Sequence, residues 1–245
     1  MSRPETVERL SEVASRLRAA RDVEAFPANR SPWLGAVRRW QAKRLARSFD
    51  EFNARSNYRG AVAFFLDDLY GEHDASWRDR DLARMMPTLV RWLPEAMLGT
   101  VADALELDWL SHVLDVRVAQ LLEASDATTL NAPVYATAYR EAGSARERSR
   151  QLQLLLTVGR DLESIVRKPF VYGVLKLARG PAASAGLGSL QSFLERGFAA
   201  FRQLGSAEHF LSTIERHERA TMKALFAGDP KALDDYSDLV EKPKR

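Results

Sequence analysis

The segment from Pro94 to Glu123 constrains this chain more than any other, because it is apolar around its whole circumference. At about 100° per residue, Met97, Leu98, Val101, Leu105, Trp109, Val116 and Ala119 fall on one side of a helix. Leu107, Leu110, Leu114, Val118 and Leu121 fall on the other. A helix that is apolar all round is buried all round, so this one must be central, with other elements packed about it. His112 lies in the middle of the first side, with Asp108 and Asp115 just off its centre. Titratable groups in such a place must be hydrogen-bonded, paired, metal-bound or neutralised.

The remaining segments also read as helices. Ala, Leu, Arg and Glu dominate and the alternation of β-branched residues that marks strands is absent, so the fold class is all-α: an irregular bundle of about ten helices around the long central one. The reading places helices from Pro4 to Arg21, from Pro32 (capped by Ser31) to about Phe52, over 59–70, and over 78–92 with a break at Pro87. After the central helix come Asn131 to Glu141, then a helix opened by the capping box Ser144-Ala-Arg-Glu147 and running to Arg167, then Pro169 to Arg179. Two final helices cover roughly 189–204 and 206–227, the second capped by Ser206, and the stretch 180–188 reads as flexible. Residues 1–228 form one helical domain on this reading, and 229–245 form a loosely held tail.

Composition narrows the chemistry. With no cysteine there is no disulfide framework, thiolate site or cysteine nucleophile. The first 30 residues are charged throughout and show no secretory apolar core, and no run of 18 apolar residues is long enough to span a bilayer, so a soluble cytoplasmic protein is expected. Gly186-Leu-Gly188 lacks the rest of a dinucleotide fingerprint, and there is neither a phosphate-binding Walker loop nor a Gly-x-Ser-x-Gly elbow. No pattern assigns a catalytic residue, a cofactor or an oligomeric state.

Asp108 and His112 are separated by four residues and His112 and Asp115 by three, so all three reach one point beside the central helix. With Trp109 they form the candidate ligand site. The final helix offers a second inward histidine, His217, and the third offers Asp68; together with His112, Asp108 and Asp115 these would suit iron, manganese or zinc. The spacing matches neither the Glu-x-x-His of carboxylate bundles nor the His-Glu-x-x-His of zinc proteases. The simplest reading of the His112 cluster is a satisfied hydrogen-bond network in the core.

On the second helix Trp33, Trp40, Lys43, Arg44 and Arg47 share one side. Residues 1–60 hold 13 Lys and Arg against 7 Asp and Glu, so this side is a candidate for an anionic partner. Tryptophans packed beneath arginine stems would look the same, and no nucleic-acid-binding signature accompanies them. Arg167 to Leu177, with basic ends and an apolar middle, reads as an ordinary buried helix; its alternative is a helix lying in a membrane interface.

Three strings, Arg39-Trp40-Gln41-Ala42-Lys43-Arg44-Leu45, Phe64-Phe65-Leu66-Asp67-Asp68-Leu69-Tyr70-Gly71 and Phe193-Leu194-Glu195-Arg196-Gly197-Phe198, resemble an uncharacterised proteobacterial family marked by Phe-Phe-Leu-x-x-Leu-Tyr-Gly. The resemblance covers about residues 30 to 228 and implies no activity, cofactor or partner. Physically, Phe65 and Leu69 would be buried, Tyr70 would anchor the helix end and Gly71 would terminate it.

Three functions follow as expectations. The first is a helical binding protein for a small apolar ligand between helices or for a protein partner. The second is a metal-dependent oxidoreductase built on the His112 set. The third is a regulator that binds an anionic partner through the aromatic basic face.

Overall fold

The computed structural model describes residues 2–64, 66, 84–91, 93–125 and 127–243. Asp68, Leu69, Tyr70, Gly71, His73 and the start of the helix expected over 78–92 lie outside the described residues, as does Phe65. The fold is all-α. Residues 84–91 are helical; besides them, eleven α-helices are present among the described residues, where the only β pairing is an isolated bridge between Leu130 and Glu241. The eleven are α1 (Arg3–Arg21), α2 (Pro32–Ser48), the single turn α3 (Asp50–Asn53), α4 (Ser56–Ala63), α5 (Glu95–Ala124), α6 (Ala132–Ala142), α7 (Ala145–Val166), α8 (Pro169–Leu177), α9 (Arg179–Ser184), α10 (Gly188–Leu204) and α11 (Glu208–Ala227).

Local chemistry sets most of these boundaries. The Ser31 side chain accepts the Trp33 N–H at 3.3 Å ahead of Pro32. Asn131 accepts from Val134 at 3.1 Å, and Ser144 and Glu147 close the capping box in both directions, at 3.2 and 2.8 Å. Gly228 ends α11 in the left-handed region at φ 73°. The stretch 180–188, read as flexible, contains the short helix α9 and a turn at Gly186.

Helix α5 is central because α1, α2, α6 and α7 all pack on it. At 30 residues it is about 45 Å long, and successive parts of it serve different clusters. Leu98, Ala102 and Leu105 meet Leu10, Val13 and Leu17 of α1. Leu110 and Leu114 meet Leu154 of α7. Val118, Ala119 and Leu122 enter a core with Trp33, Val37 and Trp40 of α2 and Tyr135 of α6. A further core joins Leu45, Phe49, Phe52 and Tyr58 to Leu152 and Leu156 of α7 and to Phe210 and Ile214 of α11.

Two elements differ from expectation. The segment read as a loosely held tail is packed down through residue 243. Leu233, Tyr236 and Leu239 are buried in the cluster around Trp40, Leu130 and Glu241 exchange backbone hydrogen bonds at 2.8 and 2.9 Å, and the Trp40 indole N–H donates to the Leu239 carbonyl at 3.3 Å. Helix α8, read as an ordinary buried helix, buries none of its residues. Among the described residues its main contacts are with its neighbours α7, α9 and α10, so its apolar composition is not spent on the core.

Candidate functional site

His112 is buried and both its ring nitrogens are engaged. Nδ1 lies 2.9 Å from the Arg38 guanidinium and Nε2 lies 3.2 Å from the Ala20 carbonyl. A guanidinium only donates and a carbonyl only accepts, so Nδ1 is the acceptor, Nε2 carries the proton and the ring is neutral. Burial first, then the positive charges of Arg38 and Arg21, push the imidazole down to about 4. Asp115, also buried, accepts from Gln41 at 2.8 Å with Arg38 3.9 Å away, and burial raises its carboxyl above the usual range. Asp108 pairs with Arg21 at 2.6 Å and is not a hydrogen-bond partner of His112. Trp109 is half-buried and packs at the edge of the α1–α5 cluster, with Arg16 over its ring.

The carboxylates flanking His112 therefore face arginines. His217 is exposed on α11, Asp68 lies outside the described residues, and among the described residues no group of three or more His, Asp or Glu side chains can hold a metal ion. Among the described residues His112, His217, Asp108 and Asp115 do not converge on one point.

The aromatic basic face of α2 is closed rather than presented. Trp33 and Trp40 are buried, and Trp40 stacks on Tyr135 with centroids 4.1 Å apart. Lys43 and Arg39 pair with Glu241 at 2.6 and 2.8 Å, and Arg47 pairs with Asp238. Arg44 is buried and grips Glu218 of α11 through two bonds of 2.9 and 2.7 Å. The acidic C-terminal segment occupies the positions that an external anion would take.

Beneath that closed face lies a pocket of about 70 Å³ between α2, α6, α7 and α11. Gln41, Arg44, Tyr135, Tyr139, Arg148, Gln151 and Glu218 are among its lining residues. Arg148 is 5% exposed, its guanidinium carbon sits 4.1 Å from the Tyr139 ring centroid, and its Nη1 donates to Gln151 at 3.2 Å. Its Nε and Nη2 are buried with no hydrogen-bond partner among the described residues. Of the two buried arginines, Arg44 holds a carboxylate and Arg148 holds none. Burial raises both phenols, Tyr135 and Tyr139, so each keeps its proton and can donate. The pocket thus sets one guanidinium without a carboxylate partner and two neutral phenols against an apolar wall that includes Leu45, Phe49, Leu152 and Ile214, and the guanidinium suits it to an anion.

Sequence reasoning missed Arg148, yet a signal was present. Arg148, Leu152, Leu155, Gly159 and Val166 share one side of α7, so an arginine stands where the apolar stripe begins.

The chain is an all-α protein with a small pocket of mixed lining between the helices around its core. It belongs to the family described as a domain of unknown function, DUF8198, which matches residues 20–232. No curated protein and no solved structure matches it. Two of the three strings singled out in the sequence meet in space: Phe64 packs on Phe193 with centroids 5.2 Å apart, and a Cβ at Gly197 would lie 2.7 Å from the Phe64 ring. The strings are, at this point, a packing device.

Proposed function

We propose that the protein binds a small oxyanion, with Arg148 as its anchor. The observation that carries this reading is a buried guanidinium with two unpartnered N–H groups on the wall of a pocket. An unpaired buried charge is costly, and a phosphate or short carboxylate would relieve it by accepting from Nε and Nη2 in the forked geometry that arginine offers. Arg44 is offset by Glu218, and the buried Asp115 carboxyl, which feels both Arg38 and Arg148, accepts its hydrogen bond from Gln41 instead of from Arg148. Tyr135 and Tyr139 supply further donors, whereas the Gln151 amide N–H donates to Ser111 and its oxygen accepts from Arg148.

Size supports a compact ligand. A pocket of about 70 Å³ is far below the roughly 300–1,000 Å³ that holds a drug-sized molecule. The unpartnered Arg148 N–H groups favour an anion over the apolar ligand expected from the sequence. Binding is favoured over turnover because the sole carboxylate in the lining, Glu218, is committed to Arg44, and the lining holds neither histidine nor serine. Residence in the cytoplasm is part of the same proposal.

Calorimetric titration with inorganic phosphate, acetate and oxalate tests this. At least one should bind with one site per chain. Arg148→Met should weaken it roughly 10- to 100-fold, the loss expected for charge-assisted hydrogen bonds. Absence of heat with all three at millimolar concentration would end the proposal, as would equal binding by the variant.

A further inference from the structure

Helix α8 leaves its apolar side chains in water. Phe170 and Val174 are each 60% exposed and Leu177 is 80% exposed, and their spacing of four and three residues puts them on one stripe of the helix. Tyr172 points elsewhere, stacking on Phe198 with Lys176 and Arg202 over its ring. Scattered exposed apolar residues need no explanation, but a contiguous set marks an interaction surface.

The charges around the stripe identify the surface it fits. Residues 164–194 contain Arg167, Lys168, Lys176 and Arg179 and not one Asp or Glu. The carboxylates nearest in sequence are Glu163, paired with Arg167, and Glu195, paired with Arg179. With Arg202, five cations stand against two carboxylates. A protein partner selects apolar shape with mixed charge at its rim; an apolar stripe bordered by excess Lys and Arg is the pattern of a helix that lies on an acidic bilayer. No helix among the described residues is long and apolar enough to cross a membrane, so contact would be with the surface alone.

We infer that α8 docks this protein on an anionic phospholipid bilayer, with Phe170, Val174 and Leu177 entering the headgroup boundary and Lys168 and Lys176 meeting the lipid phosphates. Occupancy of the Arg148 pocket is not required.

Sedimentation of the full-length chain with vesicles of phosphatidylcholine alone, or mixed with phosphatidylglycerol, tests the inference. Binding is expected to the mixed vesicles and to weaken as salt rises. The double variant Val174→Asp, Leu177→Asp should bind at least roughly tenfold more weakly. Lys168→Gln with Lys176→Gln should lose roughly 30-fold. All four side chains are exposed, so unchanged thermal midpoints are expected and confirm folding. Failure to sediment with mixed vesicles in dilute buffer would overturn the inference, as would equal binding by the aspartate variant. Sedimentation equilibrium supplies the other arm: a dimer dissolved by the same aspartates, without lipid binding, would assign the face to a second copy of the chain.

Discussion

His112 has its protonation state decided by its neighbours. Protonating Nδ1 would set a second N–H against the Arg38 guanidinium, so the folded protein resists the proton that the unfolded chain accepts near pH 6.5. The unfolded state therefore binds more protons between about pH 4 and 6.5, and stability falls as pH is lowered through that window. Asp115 acts with the opposite sign, since its raised carboxyl keeps a proton that the unfolded chain releases. Urea unfolding of the wild type and His112→Gln at pH 7 and pH 4.5 separates the two. The wild type should lose up to about 3 kcal/mol more than the variant on acidification; equal losses would show that the imidazole is not held neutral. Asp108→Ala should free Arg21's charge and push the imidazole further down, widening this window, because that carboxylate pairs with Arg21 and favours the charged ring. The sequence identified His112 as a buried polar residue. It did not identify Arg38 as the partner, since that contact joins residues 74 apart and no local period reports it.

At the scale of elements, caps and periodicity made the helices readable, and the same local rules left their packing partners open. Gly197 illustrates the gap. Within α10 it is a poor helix former, yet the Phe64 ring lies where its Cβ would be, so glycine is what allows α4 and α10 to approach. Gly197→Val should destabilise by about 1–3 kcal/mol through overpacking. Phe64→Leu in that background should recover part of the loss in a double-mutant cycle; strict additivity would refute the contact. Helix α8 was misread for a related reason. Its composition is that of a core helix, and whether such a helix is covered depends on tertiary neighbours that composition does not encode.

At the scale of the whole molecule, the C-terminal segment ties the bundle together. Leu233, Tyr236 and Leu239 recur every three residues, a spacing that suits the 3₁₀ turn found at Asp234–Tyr236. That period escapes a search for 3.6, which is why the segment read as loose. Ending the chain at residue 232 should cost several kcal/mol from three lost apolar contacts, and the Arg39, Lys43 and Arg47 cations would be released from Asp238 and Glu241. A truncated protein that unfolds at the wild-type urea midpoint would contradict this.

The pocket enclosed by that bundle is the central claim, and Arg148 tests it through stability. In anion-free buffer Arg148→Met should unfold at the same urea concentration as the wild type or a higher one, because an apolar side chain replaces an unpaired buried charge. With saturating phosphate, or whichever of the three anions binds, the wild type should gain stability and the variant should not. A variant destabilised in every buffer, beside a wild type indifferent to all three anions, would make Arg148 a structural residue and leave the pocket without a ligand.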